Sequence, residues 1–171
     1  MAGGKVFGLD AAVVFRGKPM RIAGRMLLEG ASGQSTFRYL LSGGAGAPVL
    51  LEQAAADRYA LLRPFPPAAE PQTAGNTVAV GAERYTLVGV RRLKVREALG
   101  QSTGAAPGAT LLLSGMFEGP AGTLMRELVP GTEKQVYYLV KPLAAGDFLS
   151  AEAHAEAREA ARRAAGEQDD D

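Results

Sequence analysis

Two stretches of this chain repeat one residue pattern in the same order, and that repetition limits the folds open to it. VVFRGKPMRIAGRM (Val13 to Met26) aligns without a gap on VAVGAERYTLVGVR (Val78 to Arg91) at an offset of 65, taking Ile22 onto Leu87. Val13 falls on Val78, Phe15 on Val80, Met20 on Tyr85 and Gly24 on Gly89. Three further blocks follow with growing offsets. Leu41-Ser42-Gly43 matches Leu113-Ser114-Gly115 at 72, Leu51-Glu52 matches Arg126-Glu127 at 75, and Tyr59 to Pro64 matches Tyr137 to Pro142 at 78. Insertions between strands produce such a drift, so both stretches are expected to fold to one motif.

That motif reads as short antiparallel strands. Met20 and Ile22 alternate with Arg21 and Ala23, and Phe37, Tyr39 and Leu41 alternate with Arg38, the two-residue period of a strand with one apolar and one polar face. Val49 to Glu52 and Arg58 to Arg63 complete the first stretch. Thr77 to Val80, Tyr85 to Val95, Ala109 to Ser114, Thr123 to Val129 and Lys134 to Lys141 make up the second. Turn residues separate them at Arg16 to Pro19, Ser42 to Gly46, Glu118 to Gly122 and Pro130 to Glu133. The 22 glycines and 10 prolines favour many short elements over a few long ones. The expected fold is mainly β: two tandem, related, small antiparallel sheet or barrel-like modules packed together, with a C-terminal α-helix and a disordered acidic tail.

The boundaries follow from punctuation. Residues 1–66 form the first β module, 67–75 a proline-rich linker, 76–146 the second β module, and 147–171 the helix and tail. Four prolines between Pro64 and Gly75 remove backbone donors and fix φ, which excludes a central strand there. Ala98 to Gly108 reads as an inserted loop rich in Gly, Ala, Ser and Thr. Ser150 to Ala165 is alanine with Glu and Arg, a strong helix former, with Ser150 as N-cap, Glu152 in the first turn and Gly166 as the stop. Glu159 and Arg163 are spaced for an ion pair on its surface. Its alanine stripe is thin, so weak docking and frayed ends are expected.

Several function classes are disfavoured by what the chain lacks. There is no cysteine, hence no disulfide framework, thiolate metal site or cysteine nucleophile. The one histidine, His154, falls on the polar helix, so neither a Ser-His-Asp triad nor a histidine metal site has a basis in the β stretches. Ser42 to Gly46 resembles a phosphate loop only in its glycines; no Gly-Lys-Ser/Thr and no helix follow, so it reads as a hairpin turn. Lys and Arg number 19 against 18 Asp and Glu, a balance unlike that of a duplex-DNA binder. The first ten residues lack a signal-peptide pattern and no apolar run reaches membrane-spanning length, so a cytoplasmic location is expected.

Two groups of residues remain as candidates. Arg91 to Arg96 is the densest charge on the chain; on a strand, Arg92, Lys94 and Arg96 project from one face while Leu93 and Val95 enter the core. That ladder could hold a phosphate, an acidic peptide or an anionic headgroup, dock the acidic tail, or be an ordinary solvated face. Aromatic residues do not interleave with it, which disfavours single-stranded nucleic acid. Glu52 and Glu127 occupy matching places in the two stretches. Facing one another they could share a proton or hold a cation; at strand edges they would bond a turn or blunt the edge. No catalytic residue, metal ligand or cofactor site is assigned.

The opening block AVVFRGKPMRIAGRMLLE, the strand Phe37 to Leu41, the glycine-rich turn after it and the apolar strand ending at Glu52 resemble the bacterial domain of unknown function 4178 family. Counting the echo across Asn76 to Pro142, the resemblance covers most of residues 6–142. It implies no established activity and no catalytic residues. It implies an accessory role near polyamine-forming aminopropyltransferases or envelope-stress proteins. The expected function is a non-catalytic binding or assembly module with a protein partner, open to peripheral membrane association, acting through sheet edges and the basic ladder. The other reading is a small-molecule or anion-binding protein, or a weak enzyme, with Glu52 and Glu127 in a cleft between the modules.

Overall fold

A computed structural model describes residues 6–43, 46–55, 58–65, 71–101, 109–132 and 135–169. Several expectations fall outside them: the centre of the glycine turn at 44–45, residues 67–70 of the proline-rich linker, residues 102–108 of the inserted loop, Glu133 in its turn, and the acidic end at 170–171. The described chain is mainly β with one helix. The strands are β1 (Ala12–Phe15), β2 (Lys18–Gly30), β3 (Ser35–Ser42), β4 (Val49–Ala55), β5 (Arg58–Pro64), β6 (Gln72–Ala74), β7 (Thr77–Val80), β8 (Glu83–Gly100), β9 (Leu111–Gly119), β10 (Gly122–Leu128), β11 (Gln135–Pro142) and β12 (Phe148–Ser150), followed by helix α1 (Ala151–Asp169).

All twelve strands belong to one antiparallel sheet in the order β12-β1-β2-β3-β4-β5-β11-β10-β9-β8-β7-β6, and β2 also pairs with β8. That extra pairing closes β2-β3-β4-β5-β11-β10-β9-β8 into an eight-stranded barrel, leaving β12-β1 and β7-β6 as extensions. Closure pairs the eight barrel strands on both sides and leaves only the short β12 and β6 as edges of the sheet.

The two long strands make closure possible. The start of β2 pairs with β1, Val13 lying opposite Met20, while Gly24 to Gly30 pair with β8. The start of β8 pairs with β7, Val78 lying opposite Tyr85, while Leu93 to Gly100 pair with β2. Irregularities between Ile22 and Gly24 and between Leu87 and Gly89 fall where each strand passes from one role to the other. A bulge bends a strand and raises its twist, which lets one strand serve two sheet surfaces. Gly24 is needed for space: a Cβ there would collide with the Gln101 carbonyl, and the Gln101 amide donates to Ala23 O at 2.9 Å.

Four expectations are corrected. Gln72–Ala74 is strand rather than linker, tolerated because β6 is an outer strand paired only with β7. Ala98 to Gly100 extend β8 rather than opening a loop, because β2 offers them a partner. Phe148–Ser150 forms β12 on β1, with Val14 opposite Leu149, a pairing no local pattern announces. The helix runs through Gly166 to Asp169, since an exposed glycine weakens a helix by only about 1 kcal/mol and need not end it. Its start is as read: the Ala153 amide donates to Ser150 Oγ at 3.1 Å.

The barrel is packed on both surfaces. One outer cluster gathers Ile22, Tyr39, Leu41 and Leu51 beneath Phe7 and Phe148, and another gathers Val78, Tyr85, Phe117 and Leu124. The inner residues include Met26, Leu28, Leu93 and Leu112 in one group and Leu62, Met125 and Tyr138 in another.

Candidate functional site

The lumen holds charge. On β3, Phe37, Tyr39 and Leu41 enter the outer cluster, so Arg38 points the other way. Alternation alone put Arg38 on a polar face; it is instead 0% exposed. Its Nη1 donates to Glu127 Oε2 at 2.6 Å and its Nη2 to Glu52 Oε2 at 3.0 Å. Around the ring, β3 and β10 stand opposite one another, so the bond to Glu127 crosses the lumen. Glu52 is therefore brought together with Glu127, with a guanidinium between them.

A second arginine completes the group. Arg91 on β8 reaches Glu52 Oε1 through Nη1 and Nη2, each at 3.4 Å, and its Nη2 also donates to Ser114 Oγ at 3.3 Å. Two cations thus face two carboxylates, Arg91 being the partly exposed member of the group. Burial pushes the Glu52 carboxyl up, but Arg38 and Arg91 together outweigh it and hold the group below the usual carboxylate range. Burial likewise opposes the Arg38 charge, and Glu127 and Glu52 overcome it. Tyr138, lining the same lumen, is pushed up to about 12 by burial and by Glu127, against the opposing pull of Arg38. Glu127 Oε1 is buried without a hydrogen-bond partner among the described residues. A buried polar atom left unpaired is costly, and Arg91 Nε is in the same condition among the described residues.

The basic ladder lies elsewhere. Leu93 and Val95 pack into the inner cluster, while Arg92, Lys94 and Arg96 point outward from β8. Arg96 is held by Glu29 of β2, its Nε and Nη2 donating to Oε2 and Oε1 at 3.1 and 2.9 Å. That hydrogen bonding keeps the Glu29 carboxyl below its ordinary value. Lys94 sits across from Glu29 in register. Neither Arg92 nor Lys94 enters an ion pair among the described residues. The same outer face continues through Val88 and Val90, 61% and 63% exposed. Glu52 and Glu127 are not on this face, so the two candidate groups do not combine into one site.

No protein-family model, no curated protein and no solved structure matches the chain. Its own geometry must carry the functional reading. Among the described residues, no group of three or more His, Asp or Glu side chains gathers to hold a metal ion, and no helix is long and apolar enough to cross a membrane. His154 lies half-buried at the start of α1.

Sequence reasoning missed Arg38 and gave Arg91 no role apart from its neighbours. One signal was present: Glu52 closes the apolar run Val49 to Leu51 and Glu127 lies within a largely apolar strand, and a carboxylate carried into a core needs a cation. Which arginine supplies it depends on strands far apart in sequence.

Proposed function

We propose that this chain is a non-catalytic binding module that presents the outer face of β8 to an acidic protein partner. The observation that carries this reading is the stripe Val88, Val90, Arg92 and Lys94, where two exposed valines adjoin two cations that have no ion-pair partner among the described residues. Apolar contact and charge complementarity there would act together in docking a partner. The stripe has no aromatic ring for stacking on nucleic-acid bases. The free sheet edges, β6 and β12, are three residues each, too short to offer much to an added strand. The face of the sheet, rather than its edge, is therefore the docking surface.

The lumen supports the non-catalytic part. A carboxylate held below its ordinary range by two guanidiniums is a poor proton donor near neutrality, and Arg38 is locked between two acids. We read this cluster as the pin that ties opposite walls of the barrel.

The barrel itself we read as two related five-stranded modules in tandem, β1 to β5 and β7 to β11. The two register shifts fall 65 residues apart (87 − 22), as do the pairs Val13 with Met20 and Val78 with Tyr85, which supports the repeat. Strand register also revises one offset: Arg38 lies opposite Glu52 where Ser114 lies opposite Glu127, a spacing of 76 (114 − 38) in place of 72. In this reading the second module has serine where the first has arginine, and one guanidinium serves both glutamates. A place in the bacterial domain of unknown function 4178 family, a cytoplasmic location and an accessory role beside polyamine or envelope-stress proteins complete the proposal.

The test compares wild type with the double variant Arg92→Glu/Lys94→Glu. An acidic peptide alternating Glu and Leu should bind the wild type in fluorescence anisotropy, more weakly as salt rises, and should lose at least about tenfold in affinity with the variant. Equal binding to both would reject the β8 face. Co-sedimentation with anionic vesicles but no peptide binding would replace the protein partner with a membrane surface.

A further inference from the structure

Two adjoining cavities open at the side of the barrel away from β8. The larger, about 570 Å3, lies between β3, β4, β5 and β11, and the smaller, about 410 Å3, lies by the β1–β2 turn; Phe15, Ala47 and Val49 border both. The wall of the larger one is built by register. Leu40 lies opposite Leu50, and Leu50 opposite Leu62, so three leucines form a row across three strands. Val136 and Tyr138 of β11 form the adjoining wall. A volume of this size suits a small organic ligand, and a mainly apolar wall with few polar groups is the usual character of such a site.

The charge around the cavities is one-sided. Arg16 and Arg63 line the larger and Lys18 the smaller, and among the described residues no acidic side chain lines either. Arg16 has Asp147 at 3.8 Å, while Lys18 and Arg63 are exposed and form no ion pair among the described residues. Tyr138, its hydroxyl held protonated to about pH 12, adds a donor on the inner wall.

We propose that these cavities bind a small anionic amphiphile, its apolar chain along the leucine row and its carboxylate among Arg16, Lys18 and Arg63. The site is independent of the β8 docking face, because no β8 residue lines it. It can stand if the acidic-partner reading falls, and the reverse.

Decanoate below its micellar concentration is the probe, titrated calorimetrically into the full chain beside decanol and decyltrimethylammonium. One saturable site for decanoate is expected, with decanol weaker by at least about tenfold and the cationic surfactant unbound. Arg63→Glu, on an exposed side chain, should weaken decanoate by a similar factor. Leu50→Trp should fill the cavity and abolish binding; as the sole tryptophan in the chain, its emission also reports whether that variant is folded. Should it fail to melt cooperatively, the Arg63→Glu result and amide shifts confined to β3, β4, β5 and β11 decide. Absence of saturable decanoate binding, equal affinity for decanol, or unchanged binding by Arg63→Glu overturns the proposal.

Discussion

Both faces of β3 are buried, and they are held by different physics. Phe37, Tyr39 and Leu41 lie in the outer cluster, where Phe7 and Phe148 meet edge-on at 5.2 Å and Phe7 also meets Tyr39 at 5.7 Å. The polar atoms on that side are few and matched: the Phe7 amide donates to Tyr39 OH, which donates to Gln53 Oε1 at 3.2 Å. One residue away, Arg38 faces a lumen in which two cations meet two carboxylates. The outer face gains from area removed from water and tolerates imperfect geometry. The inner face recovers the desolvation of its ions only through their mutual placement, so removing one member leaves the others exposed to the full penalty.

Substitution of Arg38 by Met should therefore have the largest effect, about 3–5 kcal/mol of lost stability at pH 7 by denaturant melting. It should also change the sign of the acid response. In the wild type, Glu52 has a depressed folded value; its stabilisation is present above the unfolded value near pH ~4 and lost as pH falls through the folded one. In Arg38→Met, Glu52 loses the stronger of the two cations that offset its burial, and burial favours its protonated form, so part of the loss should be regained on mild acidification. A parallel loss at every pH would mean that Arg38 acts only by filling space.

On the outer face, Leu41→Ala should cost about 2–4 kcal/mol, with no change in pH dependence, because it removes area and leaves a cavity without touching charge. A loss under about 1 kcal/mol would show that the outer cluster relaxes around the gap.

Alkaline titration separates the faces more gently. Tyr138 ionises at about 12 when folded and near pH ~10 when unfolded, so between those values the unfolded chain holds fewer protons and stability falls as pH rises. Tyr138 should account for about 2 kcal/mol of loss by pH 12, and Tyr138→Phe should lose that much less while Tyr39 and Tyr85, also pushed up by burial, still contribute, read by melts at stepped pH. An identical slope in that variant would remove Tyr138 from the account.

The smallest effect on stability belongs to Arg92→Glu/Lys94→Glu on the solvent face of β8, within about 0.5 kcal/mol of wild type. A larger loss would make the ladder part of the fold and would spoil its use as a binding test.

Much of this was legible locally. Glycine and proline placed the turns, two-residue alternation placed most strands, and Ser150 placed the helix start, because each depends on residues within a few positions. The basic ladder on β8 was legible for the same reason: Leu93 and Val95 alternate with Arg92, Lys94 and Arg96. Strand ends were less so. The long tails of β2 and β8 and the short β6 and β12 exist because a partner lies beside them.

Arg38 marks the boundary between the two kinds of knowledge. Alternation along the chain dictated that Arg38 faces away from Phe37 and Tyr39, and the sequence places Glu52 and Glu127 in largely apolar strands. Pairing of β2 with β8, across roughly seventy residues, turned that second face into the inside of a barrel. Only then did two glutamates and an arginine on opposite walls come within hydrogen-bonding reach. A strand's period reports which side chains share a face; whether that face meets water or a closed lumen is decided by distant strands.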